Sequence, residues 1–210
     1  RIMNAFHRLH DLRMRNDAAG FAMAEMRPRF DRLAGRHENG SAPMAVSAYQ
    51  LFQTPPELAA RMAGLLPVAG RLLEPSAGLG RLLDALPGRF GVAVEVSPDL
   101  CAHLYQQQRP GWQLLQRDFL SQTPENLGQF VGVVMNPPFH LRSDIAHIRH
   151  ALRFLEPSGV LVAICMDTHH REEALQPLAS SWERLPAGAF RSAATSVPTV
   201  LLTITGKQVA

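Results

Sequence analysis

From Arg71 onward the chain alternates short apolar runs with amphipathic stretches. Residues 90–96 and 130–135 are valine-rich and too short for helices, so they read as buried strands. Residues 98–108 and 143–154 instead space apolar side chains three and four apart, the period of a helix with one packed face. The same pattern predicts strands over 71–74, 90–96, 112–116, 130–135, 159–166, 182–185 and 200–205. It predicts helices over 80–86, 98–108, 143–154 and 172–180, with a loop at 118–124. Strands alternating with helices imply an α/β fold: a mostly parallel seven-stranded sheet covered on both faces. Ligands of such sheets bind beyond the carboxyl ends of the strands.

Upstream the pattern changes. Phe6, Leu9, Leu12, Met14, Phe21, Met23, Met26, Phe30 and Leu33 recur at loosely helical spacing over 4–34, interrupted near Gly20 and Pro28. Residues 35–47 are small and polar and predict a mobile loop. Residues 1–48 are thus expected to form a helical extension with a loop, and residues 49–210 the main domain. Thr54 predicts a helix N-cap, with Pro55 at the first helical position and a helix to about Leu66. The turn at 52–55 equally suits a capped helix or the wall of a pocket.

Composition narrows the class. The 210 residues are 46% hydrophobic and 19% charged, enough for one sizeable core. No apolar run reaches the ~18 residues of a membrane span, and no secretory signal opens the chain. A cytoplasmic protein with no membrane partner is expected. The chain opens on Arg1 rather than methionine, and an earlier start is expected. Cys101 and Cys165 form no disulfide framework or metal site and read as reduced thiols, Cys165 in the core. The net charge is +3, and residues 1–36 carry eight arginines against four acids. Such an arm suits either a solvated helical face or contact with phosphates.

Chemistry-bearing residues fall at the predicted strand ends. The first strand runs into Glu74-Pro75-Ser76-Ala77-Gly78-Leu79-Gly80. Its glycines permit close backbone approach to a ligand, and the helix that follows aims its first amides the same way. A dinucleotide fingerprint would place a third glycine where Leu83 stands, which disfavours a pyrophosphate. Glu95 ends the second strand, 21 residues after Glu74, where an acid can grip a ribose diol. Asp118 and Phe119 follow the third strand and supply a carboxylate for an amino group and a ring for stacking.

The fourth strand ends in Asn136-Pro137-Pro138-Phe139-His140. Proline fixes φ and offers a carbonyl without an N–H. The stretch therefore presents stiff acceptors, the Asn136 amide and the turn carbonyls, beside an aromatic ring. That suits a planar molecule with an amino group.

With these residues in place, the region 49–205 resembles the class I S-adenosylmethionine-dependent methyltransferases. More narrowly it resembles the DNA adenine-N6 branch, which carries an Asn-Pro-Pro-Tyr/Phe motif. The resemblance implies a Rossmann-like fold and S-adenosylmethionine as cofactor. It implies that Phe52, Thr54, Pro55, Glu74, Ser76, Ala77, Gly78, Gly80, Glu95, Val96, Asp118, Phe119 and Asn136 hold that cofactor. Asn136, Pro137, Pro138 and Phe139 become the catalytic loop, with Phe139, His140 and Phe190 toward the substrate. It implies methyl transfer to an exocyclic base amine, first adenine N6 in DNA, with nucleic acid as partner, DNA ahead of RNA. Little chain remains for a recognition domain, so recognition is expected from the basic N-terminal residues or a separate specificity subunit.

Two other readings stand beside it: a ribosomal RNA guanine-N2 methyltransferase, and a non-catalytic nucleic-acid-binding subunit with the same fold. No metal is expected. His147 and His150 at i, i+3, and His169 and His170 near Glu172 and Glu173, read as solvated faces. Asp144 suits either a helix cap or a substrate contact.

Overall fold

The computed structural model describes residues 53–190 and 197–206. The expected N-terminal helices, the loop over 35–47 and Phe52 lie outside the described residues.

Helix α1 (Pro56–Gly64) buries Leu58, Ala59 and Met62. It starts one residue later than predicted: Pro55 is its N-cap, and no side chain caps it. Thr54 does not act as the cap because its hydroxyl is turned to Asn136. Strand β1 (Leu72–Glu74) is buried throughout and leads through a glycine loop into the single-turn helix α2 (Arg81–Asp84). Strand β2 (Gly91–Glu95) follows, then α3 (Pro98–Gln106) and the edge strand β3 (Trp112–Gln116). At Gly91 a Cβ would fall 1.9 Å from the Leu72 carbonyl oxygen. Only glycine lets β2 pair this closely with β1.

A one-turn helix α4 (Pro124–Leu127) occupies the end of the predicted loop, started by Pro124 and stopped by Gly128 at φ 81°. Strand β4 (Phe130–Met135) keeps its predicted limits. Helix α5 (Ser143–Ala151) closes with a 3-10 turn, Leu152–Phe154. Strand β5 (Leu155–Met166) starts before its apolar run, because Glu156, Pro157 and Ser158 are carried across a register shift against β4. Helix α6 (His169–Leu175) begins after Thr168 and ends earlier than predicted. Pro177 lacks the N–H to continue it, and the chain tightens into a 3-10 turn. Strands β6 (Ser181–Arg184) and β7 (Thr199–Thr205) complete the sheet.

The strand order is β3-β2-β1-β4-β5-β7-β6. All neighbouring pairs from β3 to β5 are parallel, and β7 runs antiparallel to both its neighbours. One face packs Phe119, Phe130, Ile148, Phe154 and Leu175. The other packs Leu58, Met62, Leu82, Phe139 and Phe190. Full burial of each such side chain contributes about 1.5–3 kcal/mol. The chain leaves β1 toward β2 and β3, then returns to β4 on the other side of β1. The crevice over that reversal is where open α/β sheets bind ligands.

Candidate active site

The loop after β1 is shaped by its glycines. Gly78 and Gly80 sit at φ 55° and 80°, and Gly80 N–H closes a turn onto the Ala77 carbonyl at 2.7 Å. A Cβ on Gly80 would lie 2.6 Å from Arg109 Nη2 and 2.8 Å from Leu104 Cδ2. The loop is pinned across the sheet by Glu95. Its Oε2 accepts from Gly78 N–H and its Oε1 from Ser97 N–H, each at 2.8 Å. One carboxylate thus sets the loops after β1 and β2 together. An ionised carboxylate has about four acceptor sites, so the acid retains capacity for a hydroxyl donor.

Beside it, Glu74 is 1% exposed, and its Oε2 has no hydrogen-bond partner among the described residues. Burial pushes its carboxyl well above the usual range. Arg109 opposes the shift, and the charges of Glu95 and Asp84 add to it. A buried acid with an orphaned oxygen on a pocket wall is a place for a cation or a hydrogen-bond donor.

At the end of β3, Asp118 caps a 3-10 turn by accepting from Leu120 N–H at 3.0 Å. Phe119 is buried, with His150 edge-on at 4.9 Å and Phe154 at 5.2 Å. His147 lies one ring away at 6.1 Å. Its Nδ1 is 2.8 Å from the Ser143 carbonyl. A carbonyl only accepts, so Nδ1 carries the proton. Burial chiefly lowers the His147 pKa, so at neutral pH its Nε2 is an acceptor. The expected solvated face is corrected here: His147 is half-buried on the pocket wall, and His150 is half-buried against Phe119 with its Nε2 2.9 Å from the Gln122 carbonyl.

These parts enclose a cavity of about 210 Å³. Its wall includes Thr54, Glu74, Ser76, Ala77, Gly78, Glu95, Val96, Asp118, Phe119, Asn136 and Pro138. The predicted cofactor residues therefore largely converge. Pro55 and Gly80 are not part of the wall. Pro137, Phe139, His140 and Phe190 do not line the cavity: His140 is exposed, while Phe139 and Phe190 are 7% and 2% exposed within the core. In this conformation neither aromatic ring is offered to a substrate, because both complete the packing around Leu58, Met62 and Val134.

Asn136 donates its side-chain amide to Thr54 Oγ1 at 3.1 Å, joining the turn before α1 to the end of β4. The carbonyls after Pro137 are gathered by donors. Ser143 Oγ–H lies 2.7 Å from both the Pro138 and His140 oxygens, and Arg171 Nη2 donates to the Phe139 oxygen at 3.0 Å. Arg171 also donates through Nε to Asp144 Oδ2 at 2.6 Å, with Asp144 fully buried. Sequence reasoning missed Arg171. It also missed Arg81 and Arg117 on the pocket wall. An arginine two residues into a helix carries no sign of where its guanidinium reaches. Among the described residues no cluster of three or more potential metal ligands occurs, and no helix is long and apolar enough to cross a membrane.

No protein-family model and no curated protein sequence matches the chain. Solved structures do. A Listeria monocytogenes protein provisionally assigned as a class I S-adenosylmethionine-dependent methyltransferase aligns at 18% identity over 89% of this chain and 69% of that one, with a TM-score of 0.60. TrmN from Thermus thermophilus aligns at 18% identity over 71% of this chain and 48% of its own, with a TM-score of 0.56. The 23S rRNA methyltransferase ErmE aligns at 19% identity over 73% of this chain and 69% of its own, with a TM-score of 0.55. The chain thus spans about half the length of TrmN. Likeness at these identities establishes architecture: this is the Rossmann-like class I methyltransferase fold, a seven-stranded, mostly parallel α/β sheet.

Proposed function

We propose that the protein transfers a methyl group from S-adenosylmethionine to an exocyclic amino group of a nucleic-acid base. The observation that carries this reading is the seat of Asn136. It directly follows β4 on the wall of a cavity that also gathers Glu74, Glu95 and Asp118. The donor set fits the cofactor. The orphaned, buried Glu74 oxygen suits a cationic amino-acid end. Glu95, already bracing both flanking loops, has capacity for ribose hydroxyls. Asp118 and the neutral His147, between Val96 and Phe119, offer acceptors and apolar surface to a purine.

When bound, S-adenosylmethionine supplies a methyl group on a positively charged sulfur, a good leaving group. The protein's own task is placement. A ring-conjugated amine is a poor nucleophile because its lone pair is delocalised. An acceptor at Asn136, on the cavity wall, would take one of its hydrogens and help turn the lone pair toward the methyl group, while Pro137, off the wall, stiffens the turn behind it. The Thr54 contact fixes the rotation of Asn136 for this. Correct placement supplies up to ~7–11 kcal/mol of the barrier, and acceptors aimed at the nitrogen stabilise the positive charge that develops there.

Within that class the first substrate is adenine N6 in DNA, on the Asn-Pro-Pro-Phe loop and the Thr54 turn that holds it. A base inside a duplex must be flipped out to reach this crevice. The basic residues of 1–36 or a separate subunit would select the target. RNA is the second reading, favoured by the shared fold of ErmE, a 23S rRNA methyltransferase. Incubation with labelled S-adenosylmethionine and separate DNA and RNA pools, followed by nucleoside analysis, decides. N6-methyladenine from DNA is the expected product. Label in RNA guanine-N2 moves the assignment to the second reading, and label in neither pool removes base methylation.

A further inference from the structure

We infer that Asp144 and Arg171 are a positioning pair for the loop at 136–139, an inference that rests on reading that loop as the methyl-accepting site. The pair sits behind the loop, away from the cavity wall. Arg171 spends its guanidinium on three elements at once. Nε donates to Asp144 at the start of α5, Nη1 to Thr168 Oγ1 before α6 at 3.2 Å, and Nη2 to the Phe139 carbonyl. Asp144 accepts from Ile145 N–H at 3.1 Å and, at the long distance of 3.4 Å, from Met166 N–H at the end of β5. A planar fork with fixed donor directions can hold this geometry; a lysine ammonium cannot.

The backbone beside the loop shows why a holder is needed. Leu141 and Arg142, neither glycine, stand consecutively in the left-handed region at φ 50° and 62°. Such conformations persist only where the surroundings over-determine them. Leu141 is 86% exposed, so its side chain does not hold the bend. The restraints lie on either side: Arg171 on the Phe139 oxygen, and Ser143 on the Pro138 and His140 oxygens. Stability alone is a poor reason for the pair, because buried ion pairs are often replaceable by apolar residues without loss of folding free energy. What apolar residues cannot replace is the donor on the Phe139 carbonyl, three residues from Asn136.

The test is the double variant Asp144→Leu/Arg171→Met, which removes both charges and fills the space. It is expected to fold and to bind S-adenosylmethionine within about twofold of wild type, since neither residue lines the cavity. Its kcat for base methylation should fall about 100-fold, as for a misplaced reacting group, with KM little changed. A folded double variant with wild-type kcat overturns the inference. Amide exchange gives an activity-independent readout. Exchange over residues 139–143 should rise roughly tenfold while β4 and β5 stay protected. Unchanged exchange there overturns the pairing even if the protein methylates no base, whereas a wild type inactive on every nucleic acid, with exchange raised in the variant, removes only the functional reading. Should the double variant not fold, Arg171→Lys decides: a loss of kcat with cofactor affinity retained supports the role, and wild-type kcat overturns it.

Discussion

Replacing Glu95 separates two roles that one carboxylate combines. It is 7% exposed, and each of its oxygens accepts one backbone N–H at 2.8 Å. Hydrogen bonds to a charged group contribute about 1.5–3 kcal/mol each. Glu95→Gln keeps one carbonyl acceptor but turns an amide NH2 toward the other N–H, so about 1.5–3 kcal/mol should be lost. Glu95→Ala strands both N–H groups and should cost roughly 3–6 kcal/mol. In a domain of this size, 1 kcal/mol moves Tm by about 2–4 °C. The Gln variant should therefore melt roughly 3–12 °C below wild type, before any ligand is added. Thermal unfolding of both variants measures this, and calorimetry with S-adenosylmethionine measures what is lost in addition. For thermal unfolding alone, Asp118→Asn is the control, since Asp118 accepts a single N–H in an exposed turn. Should Glu95→Ala melt together with wild type, the idea that Glu95 ties the loops after β1 and β2 would be refuted, and any affinity loss would belong to the ligand contact alone.

Three further outcomes are expected. Asn136→Ala should abolish methyl transfer while S-adenosylmethionine affinity, read by calorimetry, changes little; parallel loss of both would make the loop structural. Glu74→Gln should stabilise the free protein increasingly as pH rises. The buried wild-type carboxyl holds its proton above the ordinary range, so in that window the folded state binds more protons than the unfolded and loses stability as pH climbs. A Tm difference between the two proteins that stays constant as pH rises from the ordinary glutamate range to neutrality would contradict this. Leu141→Gly should raise Tm by a few degrees, because relief of a left-handed leucine, about 1–2 kcal/mol, exceeds the ~0.5–1 kcal/mol entropic cost of glycine. A lower Tm would mean that the exposed side chain packs on something in solution.

Much of this site lies open in the chain because its parts are local. Glu74, Gly78, Glu95, Asp118 and Asn136 each stand at or just beyond the end of a strand, and strand ends are read from short apolar runs and the turn residues behind them. Side-chain reach is different. The motif points Phe139 toward a base, but in the fold it packs with Phe190 in the core. The helical spacing puts His147 on a solvated face, but the fold lines the cavity with it. An aromatic or histidine at a given position has the same local signal in either setting. Element ends suffered similarly: Thr54 has a cap's identity, but its hydroxyl is claimed by Asn136, 82 positions away.

By itself, then, the amino-acid order determined the alternation of strand and helix, the parallel sheet, and which residue types crowd its carboxyl edge, since hydrophobic period and turn chemistry act over a few neighbours. Only the tertiary structure decided the rest. The orphaned Glu74 oxygen, the double grip of Glu95 and the Asp144–Arg171 hold on the Phe139 carbonyl depend on burial and on distances between segments far apart in the chain. Desolvation and hydrogen-bond geometry exist only once those segments have been packed together.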